Sequence, residues 1–480
     1  MSDSPHLFWF REDLRLSDNP ALHAAATSGK PLICVYVLEN QSKGDWPIGG
    51  ARKWWLHHSL AALMQSLKQV GGELLIRQGS AATIIPNLVA ETGAEHVYWT
   101  RRYAPHHIQT DTQLKQTLED SGVSVTSMNG RLLFEPWQFK TGSGTPYRVF
   151  TPFWKAMQAR GNVRDTTPPI KRIESAKHQV KSTTLNSLNL LPTSPNWAAQ
   201  FDQTWHPGEA GAKARLVSFI ETASSNYITH RDRPAINGTS LLSPHLQHGE
   251  ISPVQIWHAI QAAVSNGDIP ENQASKFLSE IAWREFSYGL LFANPDMLAQ
   301  PIMPSFNAFP WRDSAQDLAA WQTGQTGYPI VDAGMRQLWQ TGWMHNRVRM
   351  IVASFLVKHL MIDWRKGMAW FWDTLVDADI ASNTASWQWV AGCGADAAPY
   401  FRIFNPMTQA KKFDPQGEYI RRYVPELAKL PDENLYAPWE TSASTLNSIG
   451  LVLGRDYPAP IVDHRFARER ALAAYAEIKK

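Results

Sequence analysis

The sequence predicts an α/β domain with a doubly wound parallel sheet, followed by a larger all-α domain. Short apolar runs alternate with helical patterns through residues 1–130, which is typical of parallel βαβ units. From residue 205 onward, apolar residues recur at spacings of three and four, which is typical of amphipathic helices. A chain of 480 residues, 44% of them hydrophobic, is long enough to build both cores.

The elements of the α/β domain are placed by the period of their apolar residues. Strands are predicted at 6–10, 31–38, 73–77, 95–100 and 123–128. Helices are predicted between them at 51–70, 80–92 and 107–121. The first strand is followed by the charged residues 11–16, REDLRL, and not by the glycine pattern GxGxxG. The sequence therefore argues against an ordinary dinucleotide-binding domain.

An interdomain linker is predicted at 131–204. Its stretch 155–196 has no aromatic side chain and is rich in Pro, Ser, Thr and Asn, which is typical of a segment that crosses the surface. The all-α domain is expected to span 205–480. Its helices are predicted at 212–225, 253–265, 272–291, 331–341 and 345–361.

Composition excludes several classes of protein. Two cysteines, Cys34 and Cys393, do not make a disulfide framework or a cysteine-built zinc site, and no metal site is predicted. The N-terminal residues lack the pattern of a signal peptide, and no apolar run reaches the ~20 residues of a membrane span. We therefore expect a cytoplasmic protein. The net charge of +3 argues neither for nor against nucleic acid.

The tryptophans are concentrated in one part of the chain. Ten of the 21 lie between Trp283 and Trp389, interleaved with arginine, aspartate and asparagine. Aromatic rings beside cations are what single-stranded or extruded bases stack on, although core packing explains the cluster equally well at this point. Basic residues also gather at 336–366 and 402–412, which suits either phosphate contacts on one face or solvated helix faces.

Several stretches resemble the signature motifs of the photolyase–cryptochrome family. The most specific are at 332–338 (DAGMRQL), 342–347 (GWMHNR), 387–389 (WQW) and 400–406 (YFRIFNP). Further matches are at 10–15 (FREDLR), 18–22 (DNPAL), 239–246 (TSLLSPHL) and 283–286 (WREF). The resemblance is strongest to bacterial cyclobutane pyrimidine dimer photolyases. It implies a deoxyribodipyrimidine photo-lyase, a monomer in which FAD, reduced to FADH⁻, and blue light repair dimers in DNA.

The resemblance also assigns the flavin site. The residues it places there are Tyr227, Thr239, Ser240, Leu241, Leu242, Ser243, Phe277, Asn346, Arg349, Asp377, Asp379 and Asn383. Arg349 and Asp377 match an ion pair beside the flavin ring, where a fixed positive charge stabilises the anionic reduced form. Asn383 matches the position that faces flavin N5, where photolyases have Asn, plant cryptochromes Asp and animal cryptochromes Cys.

Substrate and electron-transfer residues follow from the same resemblance. Glu280 and Trp283, three apart on one helix face, match residues that bind the extruded dimer, and with Asn383 they form the predicted catalytic set. The residues matched to an electron relay are Trp311, Trp364 and Trp387. The other residues matched to DNA contacts are Arg231, Asn346, Arg347, Met350, Trp389, Arg402 and Gln409. Met350 replaces a histidine that (6-4) photolyases require.

Two questions stay open at the level of sequence. The loop 101–107, RRYAPHH, lacks the acidic residue of the familiar folate site, so the antenna pigment is expected to be folate (methenyltetrahydrofolate) in another pose, a deazaflavin, or none. A cryptochrome-like photoreceptor that signals without repair is the alternative function. Asn383, Glu280 and Met350 favour repair.

Overall fold

The structure, a computed structural model, describes residues 4–39, 46–177, 180–396 and 401–479. The chain divides into two compact units. The first unit comprises Met1–Trp197, Asp202–Ser225 and Ser240–Pro295. The second comprises Ala198–Phe201, Asn226–Thr239 and Asp296–Lys480.

The first unit contains a parallel five-stranded sheet, within the described residues, in the order β3-β2-β1-β4-β5. Its strands are β1 (His6–Phe10), β2 (Leu32–Glu39), β3 (Leu74–Gly79), β4 (His96–Thr100) and β5 (Ser124–Met128). The central strand β1 pairs with β2 on one side and β4 on the other, so that Phe8 lies opposite both Cys34 and Tyr98. The prediction of a doubly wound parallel sheet is confirmed, and all five predicted strands are present.

Helices occur in both units and are numbered in chain order. The first ten are α1 (Pro20–Ala26), α2 (Gly50–Gln69), α3 (Ala81–Thr92), α4 (Pro105–Asp120), α5 (Phe150–Arg160), α6 (Glu209–Thr222), α7 (Tyr227–His230), α8 (Ser243–His248), α9 (Pro253–Ser265) and α10 (Glu271–Ala293). The others are α11 (Ala315–Gln322), α12 (Pro329–Thr341), α13 (Asn346–Ser354), α14 (Trp364–Thr374), α15 (Ile380–Ala391), α16 (Pro406–Phe413), α17 (Glu418–Tyr423), α18 (Asp432–Leu435), α19 (Ala443–Ile449) and α20 (His464–Ile478).

Helices cover both faces of the sheet because side chains alternate along each strand. Phe8 and Phe10 point into one apolar layer, where Leu60 of α2 joins them. Leu7 and Trp9 point into the opposite layer, which α3 and α4 complete. The near-continuous apolar runs that predict the strands follow from this burial on both faces.

The helical pattern predicted after residue 205 is also confirmed in the described residues. One predicted helix, 345–361, has a different form. Its α-helical part, α13, begins after the cap residue His345 and ends at Ser354, and a π-helical turn at Phe355–His359 continues it. All five residues of this turn are buried, so the irregular turn lies in the core of the second unit. Helix α5 lies within the segment predicted as a linker.

The loop that follows β1 contains a half-buried carboxylate, that of Glu12, which contacts three other parts of the first unit. Glu12 accepts from Arg131 at 2.7 Å, from Arg52 at 3.2 Å and from Gln247 at 3.3 Å. Burial by itself would raise the pKa of Glu12, but the nearby cations, Arg131 and Arg52 foremost, outweigh that effect and lower the pKa to about 2. Glu12 therefore ties three distant parts of the first unit together through its charge.

This carboxylate should contribute to stability only when it is ionised. Because its pKa falls on folding from 4.5 to about 2, the contribution is complete above pH 4.5 and is lost as the pH falls toward 2. We expect Glu12→Gln to lower the free energy of unfolding at pH 7 by about 2–3 kcal/mol and to flatten its dependence on pH in that window. Urea unfolding at several pH values measures both effects.

The matched control is Glu91→Gln. Glu91 pairs with Arg77 at 2.9 Å, but its side chain is half exposed, so this pair should contribute little. A Glu12→Gln variant that kept the acid dependence of the wild-type protein would contradict the assignment.

Candidate functional site

Helix α15 of the second unit packs against both α13 and α14, and these helices bear several of the predicted residues. Arg349 of α13 donates through Nη2 to Asp377 Oδ2 at 2.8 Å. Its Nε donates to the carbonyl of Met344 at 2.7 Å, and Trp343 lies beside the guanidinium at 5.8 Å. The buried Asp377 and the carbonyl thus hold a cation in one orientation, as the predicted ion pair requires.

Asn383 lies near the start of α15. Its Nδ2 donates to the main-chain carbonyl of Met368 on α14 at 3.0 Å. With the amide group held in this way, Oδ1 is the atom that accepts from any further partner. The position therefore offers a neutral, oriented acceptor.

Asp379 begins α15 as its cap residue. Its side chain accepts from the main-chain N–H of Ser382 at 2.7 Å, so the carboxylate is fixed where the helix starts. Three other predicted flavin residues, Tyr227, Thr239 and Asn346, belong to this unit. Tyr227 is buried with the Arg231 guanidinium 5.5 Å from its ring, and Thr239 is half-buried.

The predicted flavin residues from Ser240 to Ser243 lie in the first unit. Leu241 has a φ of +53°, a left-handed conformation that is costly for a leucine and turns the chain sharply. Ser240 Oγ accepts from the N–H of Leu242 at 3.4 Å within this turn, and Ser243 begins α8. The local backbone strain and the hydroxyl groups are together typical of a binding loop.

Helix α10, also in the first unit, bears the predicted substrate residues. Glu280 is half-buried and forms an ion pair with Lys276, one turn earlier, at 2.9 Å. Trp283 is half-buried and stacks on Phe150 with 3.8 Å between ring centroids and 8° between planes. Phe277 is buried against Phe219 at 4.5 Å and so takes part in the apolar core.

The predicted relay residues all belong to the second unit. Trp364 and Trp387 are 1% and 2% exposed, whereas Trp311 is half-buried, so two inner rings and one outer ring are present. A Cβ atom at Gly367 would overlap the Trp387 ring, which therefore lies directly on the helix that begins with Trp364. A main-chain bridge between Arg312 and Ile362 brings the chain at Trp311 next to the same helix start.

The predicted DNA contacts of the second unit include two arginines beside one carboxylate. Arg347 donates to Asp232 at 2.9 Å, and Arg231 lies 3.9 Å from the same side chain. Arg347 also contacts Met350 Sδ at 3.5 Å and lies 4.4 Å from the Phe413 ring of α16. These cations are therefore paired in the structure, and a phosphate group would have to replace or share their partner.

The other predicted DNA residues of this unit are accessible. Asn346 and Arg402 are exposed, Gln409 of α16 is half-buried, and the Arg402 guanidinium lies 4.9 Å from the Phe404 ring. Trp389 is half-buried and donates from Nε1 to the carbonyl of Asp396 at 3.1 Å, which fixes its ring. Tyr400, part of the motif at 400–406, lies outside the described residues.

Two family models match this chain. Residues 6–172 match the family model described as DNA photolyase, and residues 277–477 match the one described as the FAD binding domain of DNA photolyase. A deoxyribodipyrimidine photo-lyase of Agrobacterium fabrum is 54% identical over all of this chain and 99% of its own.

The chain belongs to the DNA photolyase family. The crystal structure of a bacterial class III photolyase from Agrobacterium tumefaciens matches it with a TM-score of 0.96 and 54% identity, over 100% of this chain and 98% of the other. Cryptochrome-2 of Arabidopsis thaliana is more distant, at 38% identity over 100% of this chain and 80% of its own. The family predicted from the motifs is confirmed.

The residues present fit FAD, the cofactor of this family domain. The second unit offers a cation fixed by two acceptors at Arg349 and an oriented amide at Asn383. A fixed cation and an oriented amide are groups that a flavin ring uses.

Sequence reasoning does not identify every residue of the site. Lys276 lies four positions before Glu280, and Asp232 is adjacent to Arg231, so helical spacing and charge pairing are signals that could have found them. The carbonyl of Met368 and the small size of Gly367 matter only through contacts made in three dimensions. No sequence pattern indicates either of them.

The Arg349–Asp377 pair should be necessary for FAD retention. Asp377→Asn removes the charge that orients Arg349, so we expect less FAD per protein after gel filtration and a loss of about 1–3 kcal/mol in unfolding free energy. The ratio of flavin absorbance to protein absorbance measures the first effect, and urea unfolding measures the second.

Asp313→Asn is the matched control, because it also removes an aspartate charge from an ion pair. Asp313 pairs with Lys366 at 2.5 Å, but its side chain is exposed, so its loss should leave FAD bound. Wild-type FAD content in the Asp377→Asn variant would show that the pair does not serve the cofactor.

Proposed function

We propose that this protein is a DNA photolyase that splits cyclobutane pyrimidine dimers by light-driven electron transfer from reduced FAD. The observation that carries the proposal is Asn383, whose amide is held by the Met368 carbonyl of α14. Asn383 lies on α15, which packs against α13, the helix of Arg349. A neutral amide does not act as a proton donor as a carboxylic acid does, which suits a cofactor kept fully reduced for repair.

Bound in its reduced form, FAD supplies the electron that light transfers to the dimer. The residues of the protein hold and tune the site. Arg349 provides a positive charge that Asp377 and the Met344 carbonyl keep in place, so no reorganisation is needed when negative charge is present nearby. Asn383 accepts a hydrogen bond through Oδ1.

Recognition of the dimer is proposed to use Glu280 and Trp283. The carboxylate of Glu280 accepts from pyrimidine N–H groups, and Lys276 keeps it beside α10 until a substrate binds. Trp283 and Trp389 offer rings for packing against the dimer, and Asn346 and Met350 are proposed as further contacts. A dimer stacks poorly within the duplex, so extruding it costs less than extruding normal bases, and this difference favours damaged DNA.

The residues proposed to bind the DNA backbone are Arg231, Arg347, Arg402 and Gln409. Asp232 already neutralises part of the charge of Arg231 and Arg347. Binding should weaken with rising salt, because phosphate contacts release counterions.

The three tryptophans Trp387, Trp364 and Trp311 are proposed to pass electrons one at a time between the flavin site and the surface. Their burial supports Trp311 as the outer member, since Trp364 and Trp387 are buried and the Trp311 ring is accessible to a reductant. The Trp387 ring lies against the backbone at Gly367, on the helix that begins with Trp364.

We propose further that an antenna pigment, folate or a deazaflavin, binds the α/β domain of residues 1–130. The carboxyl ends of β1 and β4 lie at the switch point of the sheet, where such folds bind ligands. A buried ion network lies at this place, with Arg11 donating to Asp111 at 2.6 Å and Arg102 donating to Glu39. Fluorescence of pigment released by heat distinguishes the two classes.

The proposal also covers the oligomeric state, the location and the domain bounds of the protein. We propose a monomer that acts on chromosomal DNA in a bacterial cytoplasm, with the linker at 131–204 and the FAD- and DNA-binding domain at 205–480. Among the described residues, no helix is both long enough and apolar enough to cross a membrane.

Repair itself is the decisive test. Photoreduced protein mixed with a dimer-containing oligonucleotide should restore the pyrimidines under blue light and not in the dark, as followed by chromatography. Glu280→Ala should keep its FAD and lower the repair yield about ten-fold, which corresponds to one hydrogen bond to a charged group.

Glu271→Ala, an exposed carboxylate at the start of the same helix, should repair like the wild-type protein. Dimers that persist under light would overturn the proposal and favour a photoreceptor. An unchanged yield in Glu280→Ala would remove that residue from the mechanism.

If the three tryptophans form a relay, variants of the relay should slow photoreduction of the flavin without affecting repair by protein that is already reduced. Trp311→Phe and Gly367→Ala should slow light-driven reduction of oxidised flavin several-fold, the first by removing the outer ring and the second by displacing Trp387. Absorbance of the oxidised flavin under illumination follows the rate. Both variants should repair normally once they are reduced chemically.

Gly289→Ala is the control for a glycine within a helix, because a Cβ there meets open space. Photoreduction of Gly367→Ala at the wild-type rate would show that the contact with Trp387 does not matter for the relay.

A further inference from the structure

The rings of Phe150 and Trp283 form a parallel stack in the first unit. Their centroids are 3.8 Å apart and their planes differ by 8°. Aromatic pairs in proteins mostly adopt offset or edge-to-face arrangements with centroids about 4.5–7 Å apart. A closer, parallel contact means that Phe150 covers one face of the indole.

A third ring supports the stack from the side. Phe286 meets Trp283 edge-on at 5.7 Å and 81°, and it meets Phe150 at 5.9 Å and 74°. Phe150 is 8% exposed, whereas Trp283 is half-buried. The phenyl ring is therefore the buried wall of the pair, and the indole is the accessible member.

The local chain explains why this wall is rigid. Phe150 is the first residue of α5, which packs against α10. Trp283 lies in the middle of α10, one turn before Phe286 and one turn after Glu280. Two packed helices thus fix the plane of the indole relative to the helix that bears Glu280.

We propose that Phe150 is a positioning residue for dimer recognition, which holds the Trp283 ring in the plane on which the pyrimidine dimer packs. The inference rests on the proposed function, since it takes Trp283 as the substrate platform. With one face covered by Phe150, the indole presents its other face to the dimer. The ring is ordered before binding, so binding does not have to order it.

The size of the effect follows from this preorganisation. Immobilising one flexible side chain lowers affinity by a factor of about 3 to 10. Phe150→Leu keeps an apolar side chain but removes the flat surface, so the dissociation constant for a dimer-containing oligonucleotide should rise by about that factor. Affinity for the same undamaged oligonucleotide should not change, because undamaged DNA places no base against Trp283.

The experiment measures both affinities in the dark by fluorescence anisotropy on FAD-loaded protein. Phe150→Tyr keeps the ring and should restore the affinity of the wild-type protein. Phe153→Leu is the matched control, because Phe153 lies one turn along α5 and packs on Phe139, Tyr147 and Phe286. FAD absorbance and melting temperature show that each variant is folded.

Trp283→Ala determines whether Phe150 acts through the indole. In that background Phe150→Leu should have no further effect on dimer binding. Equal losses from Phe150→Leu with and without Trp283, or wild-type dimer affinity in Phe150→Leu, would overturn the inference. If Phe150→Leu keeps wild-type dimer affinity, the proposed function is judged separately. It holds when Trp283→Ala loses affinity for the dimer and the wild-type protein repairs dimers under light.

Discussion

The ion pair of Arg349 with Asp377 is the interaction on which the proposed flavin site depends. It joins α13 to the segment that leads into α15, and it holds a cation in an orientation that an unpaired, flexible side chain would not keep. Asp379 caps α15 two residues later, and Asn383 follows one turn after that. The charge, the helix start and the oriented amide are therefore consecutive parts of one short segment.

Close packing fixes the positions of two tryptophan rings in the proposed sites. Gly367 has no side chain, so the Trp387 ring lies against the backbone of α14, and Trp283 has its plane fixed by Phe150. In both places an indole that takes part in the proposed chemistry is held by a neighbour with no chemistry of its own. Such neighbours limit the motion of the ring without altering its charge or hydrogen bonding.

Periodic patterns predict the strands and the longer helices, and motifs predict the residue types of the site. Strands β1, β2 and β4 are predictable because they are buried on both faces and have nearly unbroken apolar runs, whereas the edge strand β5 is half-buried and alternates apolar with polar residues. Helix α1 is not predicted, because Pro20–Ala26 is short. Contacts that depend on a backbone atom or on empty space, as at Met368 and Gly367, leave no periodic signal. The π-helical turn at Phe355–His359 is hidden for a similar reason, because the apolar spacing around it matches an α-helix.

The carboxylate of Asp232 has a consequence for how the protein would travel on DNA. In the proposed DNA complex, each phosphate that approaches Arg347 or Arg231 would exchange one anionic partner for another, so the net electrostatic gain per encounter would be small. Residence on undamaged sequence would then be short. Longer residence would be confined to lesions, where the proposed extruded dimer adds contacts that ordinary bases do not make.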